Sequence, residues 1–97
     1  MIPKGILDHY IGIVVDVCDI DKDELFSRCK REDIVDARHI LIKLLSMTGA
    51  YPVMIAHSLN ITTRAVTDVL SKFDNDIQSK KWMRTNYEIA RKKLGIT

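Results

Sequence analysis

The segment Asp33–Thr48 is apolar almost all the way round a helical wheel, and nothing constrains this 97-residue chain more. Ile34, Ala37, Leu41, Leu44, Leu45 and Thr48 fall on one face at helical spacing, while Ile40, Ile42 and Met47 cover most of the rest. A helix with so little polar surface belongs at the centre of a core. Gly49 follows as the expected left-handed residue beyond its C-terminus. Arg38 sits at the edge of the apolar face, between Ile34 and Leu41. A guanidinium placed there predicts an anionic partner, either a carboxylate of this protein or a phosphate.

Helix is also the only regular structure that the remaining periodicity supports. Pro3 suits a first helical turn, and Leu7, Tyr10, Ile11, Val14, Val17 and Cys18 follow on one stripe. Ile6, Ile13 and Val15 lie off that stripe and either widen the buried face, the reading expected here, or form a contact surface for a partner. Asp21 and Glu24 have the spacing of a capping box ahead of a short helix with Leu25 and Phe26. Ser27-Arg28-Cys29-Lys30-Arg31 then forms a basic loop. With no repeat, linker or low-complexity tract, one domain over residues 1–97 is expected. The fold class is all-α: a compact domain of four to six helices, with a helix-turn-helix at about 52–72 and a basic C-terminal helix at about 80–94.

Composition narrows the functional classes. A hydrophobic fraction of 46% and a charged fraction of 29% suit an ordinary globular domain with one core. No apolar run approaches the roughly 20 residues of a membrane span, and Asp16 interrupts the most apolar stretch, Ile11–Val17. Met1–Cys18 lacks the order of a signal peptide, so a cytoplasmic location is expected. Cys18 and Cys29 make neither a disulfide framework nor a zinc site, and His9, His39 and His57 are scattered; no metal or cofactor is expected. Asp16, Asp19, Asp21, Asp23 and Glu24 cluster, yet a calcium loop turns on a glycine and none lies between Gly12 and Gly49. They read as capping and solvated carboxylates. No spacing pairs a nucleophile with a base, so an enzyme is not expected.

The region Pro52–Ser71 carries the functional signal. Counting from Pro52, Ile55 and Ala56 stand fourth and fifth, Leu59 to Ile61 eighth to tenth, and Val66 and Val69 fifteenth and eighteenth. Two helices crossing over a tight turn need this order: a small residue at the crossing, a left-handed residue in the turn, apolar wedges on either side. Thr62 is a natural N-cap for the second helix. Thr62, Thr63, Arg64, Thr67 and Asp68 are then candidate base contacts, because first-turn donors and acceptors are what base edges in the major groove require. Lys30, Arg31, Arg38, Tyr51, Ser71 and Lys72 are candidate phosphate contacts.

From about Leu7 to Phe73 the chain resembles the C-terminal DNA-binding domain of the bacterial chromosomal replication initiator DnaA, a Trp-repressor-like helix-turn-helix. The resemblance runs through Asp23-Glu24-Leu25-Phe26-Ser27-Arg28 before the basic loop and Ile34-Val35-Asp36-Ala37-Arg38 at a helix start. It continues through Leu44-Leu45, Thr48-Gly49 and Ile55-Ala56. It implies duplex DNA binding, with Arg38 matching an arginine near the DNA backbone and the family's minor-groove arginine falling at or near Cys29. Where that family has "FGGRDHSTV", this chain has Leu59-Asn60-Ile61-Thr62-Thr63-Arg64-Ala65-Val66, one residue shorter and without the Arg-Asp-His set. The resemblance therefore extends to DNA binding in replication initiation or transcription regulation, and not to the origin box. The family's ATPase module is absent, with no G-x-x-x-x-G-K-[ST] loop.

Charge is segregated along the chain. Residues 1–27 carry two lysines against six acids, whereas residues 80–97 carry six basic residues against one acid. Double-stranded DNA is the expected partner, with a homodimer or a protein partner through the acidic N-terminal helix region to raise specificity, and no membrane. A helical adaptor that has lost DNA binding is the alternative, favoured by the balance of Asp68, Asp74 and Asp76 against Arg64, Lys72 and Lys80. If Ala56 lies at the helix crossing, Ala56→Leu should cost about 1–3 kcal/mol by overpacking. An unchanged thermal melt would place the crossing elsewhere.

Overall fold

A computed structural model describes residues 2–27 and 30–95. It contains six helices: α1 (Lys4–Cys18), α2 (Lys22–Leu25), α3 (Glu32–Ser46), α4 (Pro52–Leu59), α5 (Thr63–Ser79) and α6 (Lys81–Leu94). Among the described residues there is no strand, and no helix is long and apolar enough to cross a membrane. The radius of gyration is 12.1 Å, close to the ~13 Å of a compact 100-residue domain.

α3 lies at the centre and packs against each of the other five helices. Ile34, Ala37, Ile40, Leu41, Leu44 and Leu45 are wholly removed from water, and Ile42 nearly so. The helix begins one residue earlier than expected, because the Asp33 carboxylate accepts the Ile34 N–H at 2.9 Å within the first turn. It also stops two residues earlier. Thr48 and Gly49 donate to Leu45 and Ser46 in a tight turn, and the positive φ of 94° falls on Gly49, past the Met47 cap.

α1 lays Ile11, Val14 and Cys18 on the core. Ile13 and Val15 are partly buried against it, as expected, but Ile6 is 42% exposed and corrects that expectation. It sits near the helix start, where it lines a hollow with Thr48, Gly49 and Met54 just past the end of α3. Asp19 ends α1 in the left-handed conformation, where a short polar side chain is tolerated. The Ile20 N–H returns to Val15 O at 3.2 Å and the Asp19 N–H to Asp16 O at 3.3 Å, closing a Schellman-type end. Only half of the expected capping box forms. Asp21 accepts the Asp23 N–H at 3.1 Å, while Glu24 turns away to pair with Arg31 at 3.2 Å.

The second motif helix continues well past residue 72, because Phe73 and Ile77 extend its apolar stripe. Phe73 meets Tyr87 of α6 edge-to-face at 4.9 Å, and Lys43 of α3 lies over the Phe73 ring. Tyr87 donates its hydroxyl to Met47 Sδ at 3.2 Å. A single residue, Lys80, separates α5 from α6. Its backbone N–H donates to Asp76 O and its carbonyl accepts from Arg84, while its ammonium reaches Asp36 Oδ1 at 3.1 Å and Glu32 Oε1 at 3.7 Å. Asp36 is the one buried charged residue among those described. A carboxylate withdrawn from water needs such a partner.

Lys80→Met should therefore cost about 1–3 kcal/mol in denaturant unfolding, less than a fully buried pair because the lysine side chain is 37% exposed. Asp36→Leu with Lys80→Met should recover most of the loss; strictly additive single effects would show that the pair does not interact. The hydrogen bond to Asp36 raises the Lys80 ammonium above its ordinary pKa. Its contribution is thus complete below about pH 10.4 and fades only as pH rises through the raised value.

His39 sets a second pH dependence. Burial lowers its pKa, against the opposing pull of Asp36 and Asp76. The unfolded chain then binds a proton that the folded one resists, so stability is complete above about pH 6.5 and falls as pH drops through the depressed value. The melting temperature should fall between pH 7.5 and 5.5, and by less in His39→Gln. Equal slopes would remove His39 as the cause.

Candidate nucleic-acid interface

α4 and α5 meet across Asn60, Ile61 and Thr62. Pro52 opens α4 at a position that needs no N–H donor. Asn60 closes it at φ 57° and ψ 47°, the conformation the turn demands. The Ile61 N–H returns to Ala56 O at 3.0 Å and the Asn60 N–H to His57 O at 3.3 Å, so the reversing chain satisfies two of the carbonyls at that end. Ile55, Ala56, Leu59 and Val66 are buried, and Ile61 and Val69 pack on them from the edge. Ala56 is buried, and α4 and α5 pack against each other.

Thr62 caps α5 by accepting the Ala65 N–H at 3.1 Å. Thr62, Thr63, Arg64, Thr67 and Asp68 all face solvent, as do Ser71 and Lys72. The hydroxyls of Thr67 and Ser71 donate to the carbonyls of Thr63 and Asp68 in their own helix. Each hydroxyl therefore turns its oxygen lone pairs outward as acceptors. Arg64 and Lys72 supply donors and make no ion pair or side-chain hydrogen bond among the described residues.

The basic side chains expected on phosphate divide into two groups. Lys30 is exposed at the entry to α3, and Tyr51, 71% exposed, caps the far end of α4, about 12 Å from the turn. Arg31 and Arg38 are engaged within the protein. Arg31 grips Asp33 with two nitrogens at 2.8 and 3.2 Å and holds that carboxyl below the usual carboxylate range. Within the protein Arg38 is held by backbone carbonyls and not by a carboxylate. Its Nε donates to Leu25 O at 2.9 Å and its Nη2 to Ser27 O at 2.7 Å. Those carbonyls are free to accept because α2 ends there, and a cation satisfies them well. Arg28 and Cys29, where the resemblance would place its minor-groove arginine, lie outside the described residues.

Tertiary packing brings the α2 end beside the α4–α5 turn. A cleft of about 540 Å³ is lined by Phe26, Ser27, Arg38, Ser58, Leu59, Asn60 and Ile61. Neither Phe26 nor Ser58 is among the candidate contacts read from the sequence. The only clue is that an aromatic residue follows a helix too short to cover it, and Phe26 is 45% exposed. Among the described residues no group of three or more histidines, cysteines or carboxylates is placed to hold a metal ion. Burial pushes the Cys18 thiol up to about 12, which makes it a poor nucleophile or ligand. No protein-family model, curated protein or solved structure matches this chain.

Proposed function

We propose that this protein binds double-stranded DNA through α4 and α5, in replication initiation or transcription regulation, in the manner its resemblance to the DnaA C-terminal domain implies. One observation carries the reading. The first two turns of α5 are capped and hold Thr63, Arg64, Thr67 and Asp68 in solvent while Val66 and Val69 pack inward, and the turn before them lines a cleft that reaches the α2 end. On this reading Thr63, Arg64, Thr67 and Asp68 enter the major groove. Thr62 positions them as the cap. Lys30, Ser71 and Lys72 hold phosphates, while Arg38 and Arg31 fix the α2 end and the entry to α3. Tyr51 would reach a phosphate only on a strand running past the start of α4.

The competing reading, a helical protein-interaction adaptor, draws on the balance of Arg64 and Lys72 against Asp68 and Asp74 on the exposed residues of α5. Phosphate attraction dominates nucleic-acid affinity, so a neutral surface weakens the DNA reading where a basic one would strengthen it.

The test is selection of a site from random duplex DNA, followed by titrations at several salt concentrations. Arg64→Ala should cost about 1–3 kcal/mol on the selected site and relax preference at one base pair. Lys30→Ala and Lys72→Ala should weaken all sequences alike and lower the salt slope by about one unit each. With no sequence enriched and all three variants indistinguishable from the parent, the adaptor reading replaces this one.

A further inference from the structure

The outer face of α6 has a different character from that of α5. Met83, Tyr87 and Ala90 turn into the core, and Glu88, the only acid of the helix, is tied to Arg91 at 3.1 Å. Lys81, Trp82, Ile89, Lys92 and Lys93 remain outward, with Trp82 40% and Ile89 41% exposed. Among the described residues, none of the three lysines makes an ion pair or a side-chain hydrogen bond. Trp82 and Ile89 are seven residues apart, so they lie along one line of the helix about 10 Å from each other. At about 100° per residue, Lys81 and Lys92 fall on one side of that line and Lys93 just past it on the other. Trp82 also borders a cleft of about 440 Å³ whose far wall is acidic, with Glu32, Asp33 and Asp36 of α3, so the basic face is the outer line of α6 and not this cleft.

We propose that this face docks an acidic, amphipathic protein helix. Its apolar side chains would lie on Trp82 and Ile89, and its carboxylates would meet Lys81, Lys92 and Lys93. Charge complementarity selects the partner's sign, and the aligned apolar pair selects its form, since a helix laid in a groove presents anchors one and two turns apart. A duplex offers phosphates to the lysines but nothing apolar to Ile89. A membrane-surface helix inserts a broad apolar face, and here that face is turned inward onto α1, α3 and α5. The proposal is independent of the DNA reading, which rests on α5.

Trp82 is the only tryptophan, so intrinsic fluorescence reports on this face alone. The probe is a tryptophan-free peptide of about 20 residues, long enough to hold a helix by itself, with leucines at i and i+7 flanked by glutamates. Titrated into the full chain, it should shift Trp82 emission to the blue and saturate, with weaker binding at higher salt. Lys92→Glu with Lys93→Glu should weaken binding roughly tenfold or more. Ile89→Ser should weaken it with the charges intact, and Arg64→Ala on α5 should leave it unchanged. Far-UV circular dichroism establishes that each variant is folded. No shift with the glutamate peptide would overturn the proposal, as would an equal shift with a peptide carrying lysines in their place. A random duplex or an anionic phosphatidylserine vesicle shifting Trp82 in place of the peptide would overturn it too.

Discussion

Burial of α3 is the constraint on which the other elements depend. Each large apolar side chain it withdraws from water contributes about 1.5–3 kcal/mol relative to exposure, and its buried residues fall on nearly every side of the helix. A helix of that kind is stable only when covered from several directions. α1, α2, α4, α5 and α6 provide the cover, each with an apolar face or residue of its own. The exception on this surface is Asp36, whose side chain is only 4% exposed. Its carboxylate ties α3 to the single residue joining α5 and α6. The core thus sets where α5 ends, and with it the placement of both exposed faces.

Three cations are engaged by groups of the protein itself. Lys80 neutralises Asp36, Arg38 satisfies the carbonyls at the end of α2, and Arg31 joins Glu24 to Asp33 across the loop. Because these charges are used internally, the cations left outward are fewer than composition suggests. Besides Lys4, Lys22 and Arg84, those exposed include Lys30, Arg64 and Lys72 before α3 and along α5, and Lys81, Lys92 and Lys93 on α6. The two sets differ in their neighbours. The first stands among threonines, a serine and aspartates, which suit hydrogen bonding. The second flanks Trp82 and Ile89, which suit apolar contact.

The α4–α5 turn links local sequence to function most directly. Asn60 accepts a positive φ, and its Schellman-type bonds, together with the Thr62 cap, make the turn rigid at both ends. α5 therefore leaves the turn in one direction, with its polar residues held clear of the core. A helix positioned in this way can present Thr63, Arg64, Thr67 and Asp68 without reorganising, which lowers the ordering cost of binding a rigid partner.

Much of the fold was legible in the sequence because the signals are local. The central helix followed from apolar residues on every side, the turn from Ala56 and Asn60 at fixed spacing, and the α5 start from Thr62. Each is a property of neighbours within a few residues, where backbone sterics and helical periodicity act. The exposure of Thr63, Arg64, Thr67 and Asp68 was legible for the same reason, since it follows from the positions of Val66 and Val69 on α5. The partners of long polar side chains were not legible. Arg38 reaches carbonyls of residues 11 and 13 positions away, and Lys80 reaches Asp36 across 44. No period or propensity connects such positions. The exposure of Phe26 and the cleft joining it to Asn60 likewise depend on how α2 and α4 are set against α3. Sequence alone determined which residues form helices and which face of each helix is apolar, because these depend on spacing along one chain. Only the tertiary structure decided which charges are used internally and which remain outward for a partner, because an ion pair forms wherever packing brings its two groups within a few ångströms.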